Sequence, residues 1–360
     1  MRIVYVLTSL GMGGAERQVV ALAGRMAERG HAVAIIVLRP HLSEEWPTAL
    51  DVVYLDMRRN PISVFAGMAR ARRFLEQFQP DLVHSHSFHA NMIARLLHLF
   101  HRSVKVVSTV HNVYEGRLHR MVAYRLTDFL STRTTAVSTA AAERFVRLQA
   151  IPKQKCLVVT NGIDTGEFAP NTGRRSQARS ATTAGTDFVW LTAGRIAPAK
   201  DIPNLLRAFA QVRAAHPSAQ LWIAGEGEPT VSQQNVHWLG LRRDLPALLD
   251  AADGFVLASA WEGMPLVVGE AMAMEKPVVA TDVGGVRELV GEAGVIVPAK
   301  NSEALAASML ALMRQTTEDR RKTGHASRSR IENEFSIDSR ADDWEALYRT
   351  LTSGTRGSHR

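Results

Sequence analysis

Ile3-Val4-Tyr5-Val6-Leu7-Thr8, then Ser9-Leu10-Gly11-Met12-Gly13-Gly14, then Ala15–Arg29 closed by Gly30, then Ala32–Leu38: this opening decides the fold. Ile3–Thr8 and Ala32–Leu38 are almost unbroken apolar runs, the pattern of strands covered on both faces. Between them, Val19, Val20, Leu22, Ala23 and Met26 recur at helical spacing, and Gly30 is a helix stop. Strand, glycine loop, helix and strand in this order form a unit whose two strands lie parallel.

The alternation continues outward. Val64–Phe78 reads as a helix closed by Gln79-Pro80, Leu82–His86 as a strand, Ala90–Phe100 as a helix and Val104–Val110 as a strand ending at His111. Thr134–Val137 and Leu157–Thr160 complete a first set. Asn161-Gly162-Ile163-Asp164 is turn chemistry, and Thr172–Asp187 is polar with almost no apolar residue, which reads as a linker. The alternation then restarts with strand Phe188–Thr192, loop Ala193–Asp201, helix Ile202–Ala215 and strand Leu221–Ala224. Further strands are expected at Val236–Leu239, Gly254–Ala258, Pro277–Thr281 and Val295–Pro298. The expected fold class is α/β: two doubly wound Rossmann-like domains, residues 1–168 and 169–335, facing each other across a cleft. A last amphipathic helix, 336–351, is expected to pack back on the first domain, and the tail from Thr352 to fray. In open α/β sheets ligands bind at the carboxyl ends of the strands, so chemistry is expected in the loops after strands.

Composition narrows the classes. The 360 residues are 46% hydrophobic and 22% charged, as in an ordinary globular chain. Charges interrupt every apolar run well before the roughly 20 residues a membrane span needs. The first strand is too short for a signal-peptide core. The lone Cys156 leaves no internal disulfide and no cysteine-based metal cluster, which points to a reducing cytoplasm. Residues 1–168 hold 21 Lys and Arg against 13 Asp and Glu, a net of +8, while residues 169–360 balance at 22 of each. The basic first half is expected to meet something acidic.

Glu262-Gly263-Met264-Pro265-Leu266-Val267-Val268-Gly269-Glu270 follows the strand Gly254–Ala258. Met264-Pro265 suits a helix start, because proline lacks the amide hydrogen that a first turn leaves unpaired. Glu262 is then in the loop, Glu270 about one turn inside, and the amides of Leu266 and Val267 form an anion site. A carboxylate accepts two hydrogen bonds, which suits the paired hydroxyls of a ribose or hexose. Two acids drawn to a helix start by its dipole fit the same residues. Arg195 and Lys200, on the loop after Phe188–Thr192, suit a diphosphate; a solvated basic loop is the bland reading. Gly11-x-Gly13-Gly14 departs from G-x-G-x-x-G, and Ala32–Leu38 ends in Arg39 with no acid for a ribose, so nicotinamide binding is not expected. His111 at a strand end is a ligand or a satisfied interior histidine. His84 and His86 share a strand face, but no acid lies nearby to support a metal, leaving at most an acceptor contact for His86.

The stretch Ser259–Gly285, with Glu262, Glu270 and Thr281-Asp282-Val283-Gly284-Gly285, resembles the donor-site signature of the family 4 retaining glycosyltransferases of bacterial type. The resemblance spans nearly the whole chain. It includes Gly13-Gly14-Ala15-Glu16, Ser108-Thr109-Val110-His111, Val137-Ser138, Asn161–Asp164, Gly194-Arg195-Ile196 to Lys200, and Leu239-Gly240. It implies the GT-B fold and transfer of a sugar from a nucleotide-diphosphate sugar, UDP- or GDP-linked. It implies that Glu270 binds the ribose, that Leu239-Gly240-Leu241 flank the base, and that Glu262 orients the sugar hydroxyls. Arg195, Lys200, and the amides near Gly13 and Gly14 and across Gly263-Met264-Pro265-Leu266-Val267 would meet the diphosphate. Gly14, Glu16, His86 and His111 would lie on the acceptor side, with His111 against the transferred sugar. The acceptor would be a hydroxyl of a glycan or lipid-linked molecule in cell-surface polysaccharide or glycolipid synthesis.

No Asp-x-Asp occurs in the chain, so no cofactor and no divalent metal are expected. Arg95, Arg102, Lys105, Arg117, Arg120, Arg125 and Arg133, interleaved with Leu96, Leu97, Leu99, Phe100, Met121, Val122 and Tyr124, read as a basic amphipathic patch. An anionic membrane surface suits such a patch, and so does a solvated helix face. An epimerase or inverting transferase on the same architecture remains an alternative. The non-enzyme alternative is a basic nucleic-acid-binding protein, but no basic run carries interleaved stacking residues, so nucleic acid is not expected as a partner.

Overall fold

The computed structural model of the chain describes residues 1–11, 13–41, 48–116, 118–180, 185–227 and 232–353. The chain divides into two compact units: Met1–Gly162 rejoined by the chain from Ile337 onward, and Ile163–Ser336. The break falls at Gly162/Ile163 rather than at 168/169, and the chain returns at Ser336/Ile337. These two passages run side by side, with the Ile163 amide donating to the Phe335 carbonyl at 2.8 Å.

In the first unit seven strands of the described residues form one parallel sheet. They are β1 (Arg2–Leu7), β2 (Ala32–Val37), β3 (Asp51–Tyr54), β4 (Leu82–His86), β5 (Lys105–Val110), β6 (Arg133–Ala136) and β7 (Cys156–Val158), ordered β3-β2-β1-β4-β5-β6-β7. Helices α1 (Gly14–Glu28), α2 (Pro61–Phe78), α3 (Phe88–Leu97), α4 (Leu118–Thr127) and α5 (Thr139–Arg147) link them. Successive side chains of a strand point to opposite faces. Ile3, Tyr5 and Leu7 therefore meet Val19, Leu22 and Met26 of α1, while Val4 and Val6 meet Ala71 and Leu75 of α2 and Ala94 of α3. The C-terminal helix, Ile337–Ser353, packs Ile337, Ala341, Trp344 and Tyr348 into the α1 face. Sequence reading misses β3, an edge strand whose Asp51 is exposed and whose other residues are only half-buried.

Arg95, read from the sequence as part of a surface patch, is fully buried. Its guanidinium donates to Ser108 Oγ (3.3 Å), Tyr124 O (3.0 Å), Thr127 Oγ1 (3.0 Å) and Thr134 Oγ1 (2.8 Å). Leu97, Met121 and Tyr124 are core residues as well, so the patch does not exist in the form expected. Arg117 lies outside the described residues.

The second unit repeats the plan. Strands β8 (Val189–Ala193), β9 (Gln220–Ala224), β10 (Val236–Gly240), β11 (Gly254–Leu257), β12 (Val278–Thr281) and β13 (Val295–Val297) form a parallel sheet ordered β10-β9-β8-β11-β12-β13. Among the described residues, seven helices accompany it: α6 (Thr172–Ser180), α7 (Ile202–Ala215), α8 (Leu245–Ala251), α9 (Leu266–Ala273), α10 (Val286–Val290), α11 (Ser302–Arg314) and α12 (Thr317–Glu334). Trp190, Leu221, Ile223 and Val256 pack under Leu205 and Phe209 of α7 and Leu305 and Met309 of α11. The expected linker Thr172–Asp187 is a helix over its first half. Asn171 Oδ1 accepts from the Arg174 amide at 2.9 Å, capping it. Arg174 pairs with Asp250, and Arg175 and Arg179 with Asp253. An arginine-docked helix carries no apolar stripe, which is why periodicity does not show it. Residues 181–184 of that stretch lie outside the described residues.

Candidate active site

Polar groups gather at the carboxyl ends of the strands in each unit. In the second unit, β8 ends at Ala193 and the chain turns at Gly194, whose φ of 136° is open to glycine. Side chains of Lys200 and Gly194 would compete for space, since a Cβ on Gly194 would stand 2.9 Å from Lys200 Cε. Lys200 Nζ donates to Glu262 Oε1 at 2.7 Å, and Ser259 Oγ donates to the same oxygen at 2.7 Å. Thr281 Oγ1 donates to the Ser259 carbonyl at 2.7 Å. The Gly285 amide donates to the Gly263 carbonyl at 2.7 Å. Glu262 is thus held from β8, β11 and β12 at once. It is buried, and so is Glu270 on α9.

Helix α9 starts at Leu266 with Pro265 at its cap, one residue later than Met264-Pro265 suggests. Leu266 and Val267 belong to the first turn, where amides have no intrahelical acceptor. Arg195 projects outward with two-thirds of its side chain exposed, and its nearest acid is Glu226, 3.8 Å away. The Ile196 amide donates to the Glu226 carbonyl at 2.8 Å, tying this loop to the end of β9. Gly240 closes β10 after a bulge at Leu239, with its carbonyl on the Gly225 amide at 2.7 Å, and Leu241 beyond it is exposed.

The first unit carries a histidine group. Gly13 caps α1, and Glu16 folds back over it, with Ser9 Oγ donating to Glu16 Oε1 at 3.3 Å. Met12 of that loop is outside the described residues. His86 Nδ1 and His111 Nε2 share a hydrogen bond of 2.9 Å. Burial holds His84 and His86 well below the ordinary histidine range and takes His111 down to about 4. All three are neutral at pH 7, so His111 offers a hydroxyl an uncharged donor or acceptor. Both nitrogens of His84 are engaged, with Tyr348 Oη and Thr109 Oγ1, each at 2.6 Å. His84 therefore has no free nitrogen for a metal, and no group of three metal-ligating side chains converges among the described residues.

Sequence reading misses Ser259, Thr281, Tyr348 and Glu115 as supporting residues. Glu115 Oε1 accepts from the His111 amide at 3.2 Å, and Oε2 accepts from Tyr124 Oη at 2.8 Å. A signal for it existed: Glu115 is the only acid between Asp81 and Asp128. Burial pushes its carboxyl up to about 7, from 4.5. A carboxyl raised in the fold stabilises it fully below the unfolded value, and that stability is lost as pH climbs through the folded one. Glu115→Gln cannot ionise, so its melting temperature relative to the unsubstituted chain should rise from about pH 5 to about pH 8. A constant difference across that range would reject the buried-acid assignment.

Two parallel α/β units with their polar residues at the strand ends define a GT-B protein. The crystal structure of Anabaena Alr3699/HepE in complex with UDP-glucose superposes with a TM-score of 0.84 at 19% identity, over 97% of this chain and 100% of that one. Residues 12–167 match the model "Glycosyltransferase Family 4", and residues 187–315 match "Glycosyl transferases group 1". The chain is a glycosyltransferase of this family 4 and group 1 type. A glycogen synthase of Mycobacterium tuberculosis is 26% identical over 96% of this chain and 93% of its own length. The Escherichia coli UDP-Gal:alpha-D-GlcNAc-diphosphoundecaprenol alpha-1,3-galactosyltransferase is 25% identical over 77% of each chain.

Proposed function

We propose that this glycosyltransferase moves a hexose-type sugar from a nucleotide-diphosphate sugar, UDP-linked in the first instance and GDP-linked as the alternative, to a hydroxyl of a glycan or lipid-linked acceptor. The setting is cell-surface polysaccharide or glycolipid synthesis, and the anomeric configuration is retained. The observation that carries the donor reading is the Lys200–Glu262–Ser259 constellation after β8 and β11. The Escherichia coli relative named for a UDP-galactose donor supports the UDP assignment.

In this reading the second unit takes the donor. Glu270 accepts from the ribose hydroxyls, and Leu239, Gly240 and Leu241 flank the base. Glu262 accepts from sugar hydroxyls, its position set by Ser259 and Lys200. Arg195, Lys200 and the first-turn amides of α9 meet the diphosphate. The bond from the anomeric carbon to the phosphate oxygen breaks as the acceptor oxygen bonds to the same carbon. The acceptor proton passes to the leaving phosphate. Charge develops on the leaving group, so stabilisation is mainly electrostatic. In the first unit, Gly13, Gly14, Glu16, His86 and His111 serve the acceptor and the transferred sugar, and neutral His111 hydrogen-bonds without adding charge.

A thermal-shift panel of UDP, GDP, ADP and their sugars tests the donor class. A ligand at 100 times its Kd should stabilise by about 2.7 kcal/mol. UDP and UDP-sugars are expected to give the largest shifts, and no shift with any nucleotide would sink the reading. The diphosphate charge is met by side chains and amides, so transfer assayed in EDTA should keep its rate. An anomeric proton signal showing inversion in the product would reject retention.

A further inference from the structure

The carboxyl edge of the first sheet gathers arginines to which the transfer step gives no task. Past the end of β2, the Arg39 amide donates to the Thr8 carbonyl at 3.0 Å. Beside it the chain leaves β3, with the Met57 amide donating to the Leu38 carbonyl at 2.7 Å, and Arg58 and Arg59 follow, both exposed. Strands β1 to β4 are parallel neighbours, so Arg39 and Arg59 emerge at the same edge as His86, the last residue of β4. Just beyond, in the first turn of α3, His89 is exposed. Arg120 reaches this turn from α4. Its guanidinium lies 4.8 Å from the centroid of the Phe88 ring, and Nη1 donates to the Glu115 carbonyl at 2.7 Å.

These cations converge without a counter-charge. Partial burial, and then the charges of Arg120, Arg39 and Arg59, hold His89 below the ordinary histidine range, which requires all three guanidiniums to lie near one imidazole. No carboxylate pairs with any of the three among the described residues, and Glu44 and Glu45 lie outside them. Asp56, on the exit from β3, is exposed and pairs with neither Arg39 nor Arg59. The Glu115 carboxyl is taken up by the His111 amide and Tyr124 Oη. Ser87, before α3, has a φ of 71°, a conformation that costs a serine energy, and its hydroxyl does not cap the helix. The first-turn amides of Phe88 and His89 are left without an intrahelical acceptor.

We propose that Arg39, Arg59 and Arg120, with His89 and the first turn of α3, bind a phosphate group carried by the acceptor. The inference rests on the reading that the first unit takes the acceptor, and it names that acceptor's class: a phosphorylated sugar, either a free sugar phosphate or a diphosphate-linked one. A guanidinium presents a planar fork of donors that matches two phosphate oxygens. Three positive charges suit a phosphate or diphosphate, with its several negative charges, better than a single carboxylate. Amides at a helix start complete such an anion site. The donor's own diphosphate is assigned to Arg195, Lys200 and α9 of the second unit, so it does not account for this cluster. Glu115 joins the cluster to the reacting end of the acceptor: its carboxyl accepts from the His111 amide and its carbonyl holds Arg120. One loop thus sets both the acceptor hydroxyl at His111 and the phosphate at Arg120.

Calorimetric titration of the full chain, with UDP at saturation to fill the donor site, tests it. Inorganic phosphate, glucose 6-phosphate and geranyl diphosphate are the probes, and glucose is the uncharged control. The three anions are expected to bind and glucose is not. Arg39→Gln combined with Arg59→Gln should weaken the anions by about tenfold or more, since each change removes a charge-assisted contact. Both side chains are exposed, so the Kd of UDP and the melting temperature should stay as they are in the unsubstituted chain. Tighter binding of glucose 6-phosphate than of geranyl diphosphate would mark a free sugar phosphate as acceptor, and the reverse order a diphosphate-linked one. UDP bound with no anion taken up would overturn the proposal, as would equal affinities in the variant and the unsubstituted chain. Should UDP itself fail to bind, the donor reading falls, and the same probes titrated without it still decide this one.

Discussion

Replacing Lys200 by alanine is expected to lower kcat by about 30- to 1,000-fold, equivalent to about 2–4 kcal/mol of transition-state stabilisation. Lys200 and Glu262 are 62 residues apart and form a 2.7 Å ion pair in which both side chains are largely buried. Without the ammonium, Glu262 keeps only the Ser259 hydroxyl on that oxygen, and the site changes from near-neutral to negative. A diphosphate is then repelled where it was attracted. Breaking a buried pair by removing one partner also destabilises the fold, so Lys200→Ala should melt earlier than the unsubstituted chain. Arg195 differs in one respect. Its side chain is two-thirds exposed and its contact with Glu226 is long, so Arg195→Ala should slow transfer with little change in melting temperature. Steady-state kinetics and thermal melts of the two variants check this together. Unchanged rates in both would remove the proposed role of the two cations.

The second large effect is expected at Gly284. Its φ is 55°, and a Cβ there would overlap the Glu262 carbonyl oxygen and stand 2.9 Å from the Gly263 carbonyl oxygen. Both obstacles are backbone, so no flexible side chain can move aside. Gly284→Ala must push the Glu262-Gly263 peptide away from the turn that supports it, against the Gly285–Gly263 hydrogen bond. We expect a loss of about 3 kcal/mol in stability, and a fall in activity at temperatures where the protein remains folded. Gly240 supplies the contrast. Its φ is 64°, yet nothing lies within 4 Å of a Cβ built there. Gly240→Ala should therefore cost only about 1 kcal/mol, the conformational term alone. Equal melting temperatures for the two variants would show that the backbone approach at Gly284 is not tight.

The strands are legible because runs such as Ile3–Leu7 and Val278–Ala280 are buried on both faces and carry little else. Edge strand β3 escapes notice because its residues are only partly covered. Helix α6 escapes because arginine–aspartate pairs hold it where apolar packing is the usual signal. Within the donor-side group, Glu262, Glu270, Arg195 and Lys200 stand out by their place after strands. Ser259 and Thr281 do not, since a buried hydroxyl in a strand end has no local mark that tells support from filling. Tyr348 lies 264 residues from its partner His84, beyond the reach of any spacing argument.

The order of strands and helices, the twofold restart of the pattern and the post-strand position of the charged residues follow from local periodicity and turn chemistry. Those are properties of neighbours along the chain, and the amino-acid order states them directly. Which side chains meet is another matter. Lys200 with Glu262, Glu115 beneath the His111 amide, and Arg95 inside rather than outside depend on strands brought together from distant segments. Helix α4 shows the difference most plainly. Met121 and Tyr124 on one side, and Leu118, Val122 and Leu126 on the other, are both apolar rows at helical spacing. Only the packing of α4 against the core decides which row is buried and which faces the solvent, because burial is set by what lies opposite a face and not by the face itself.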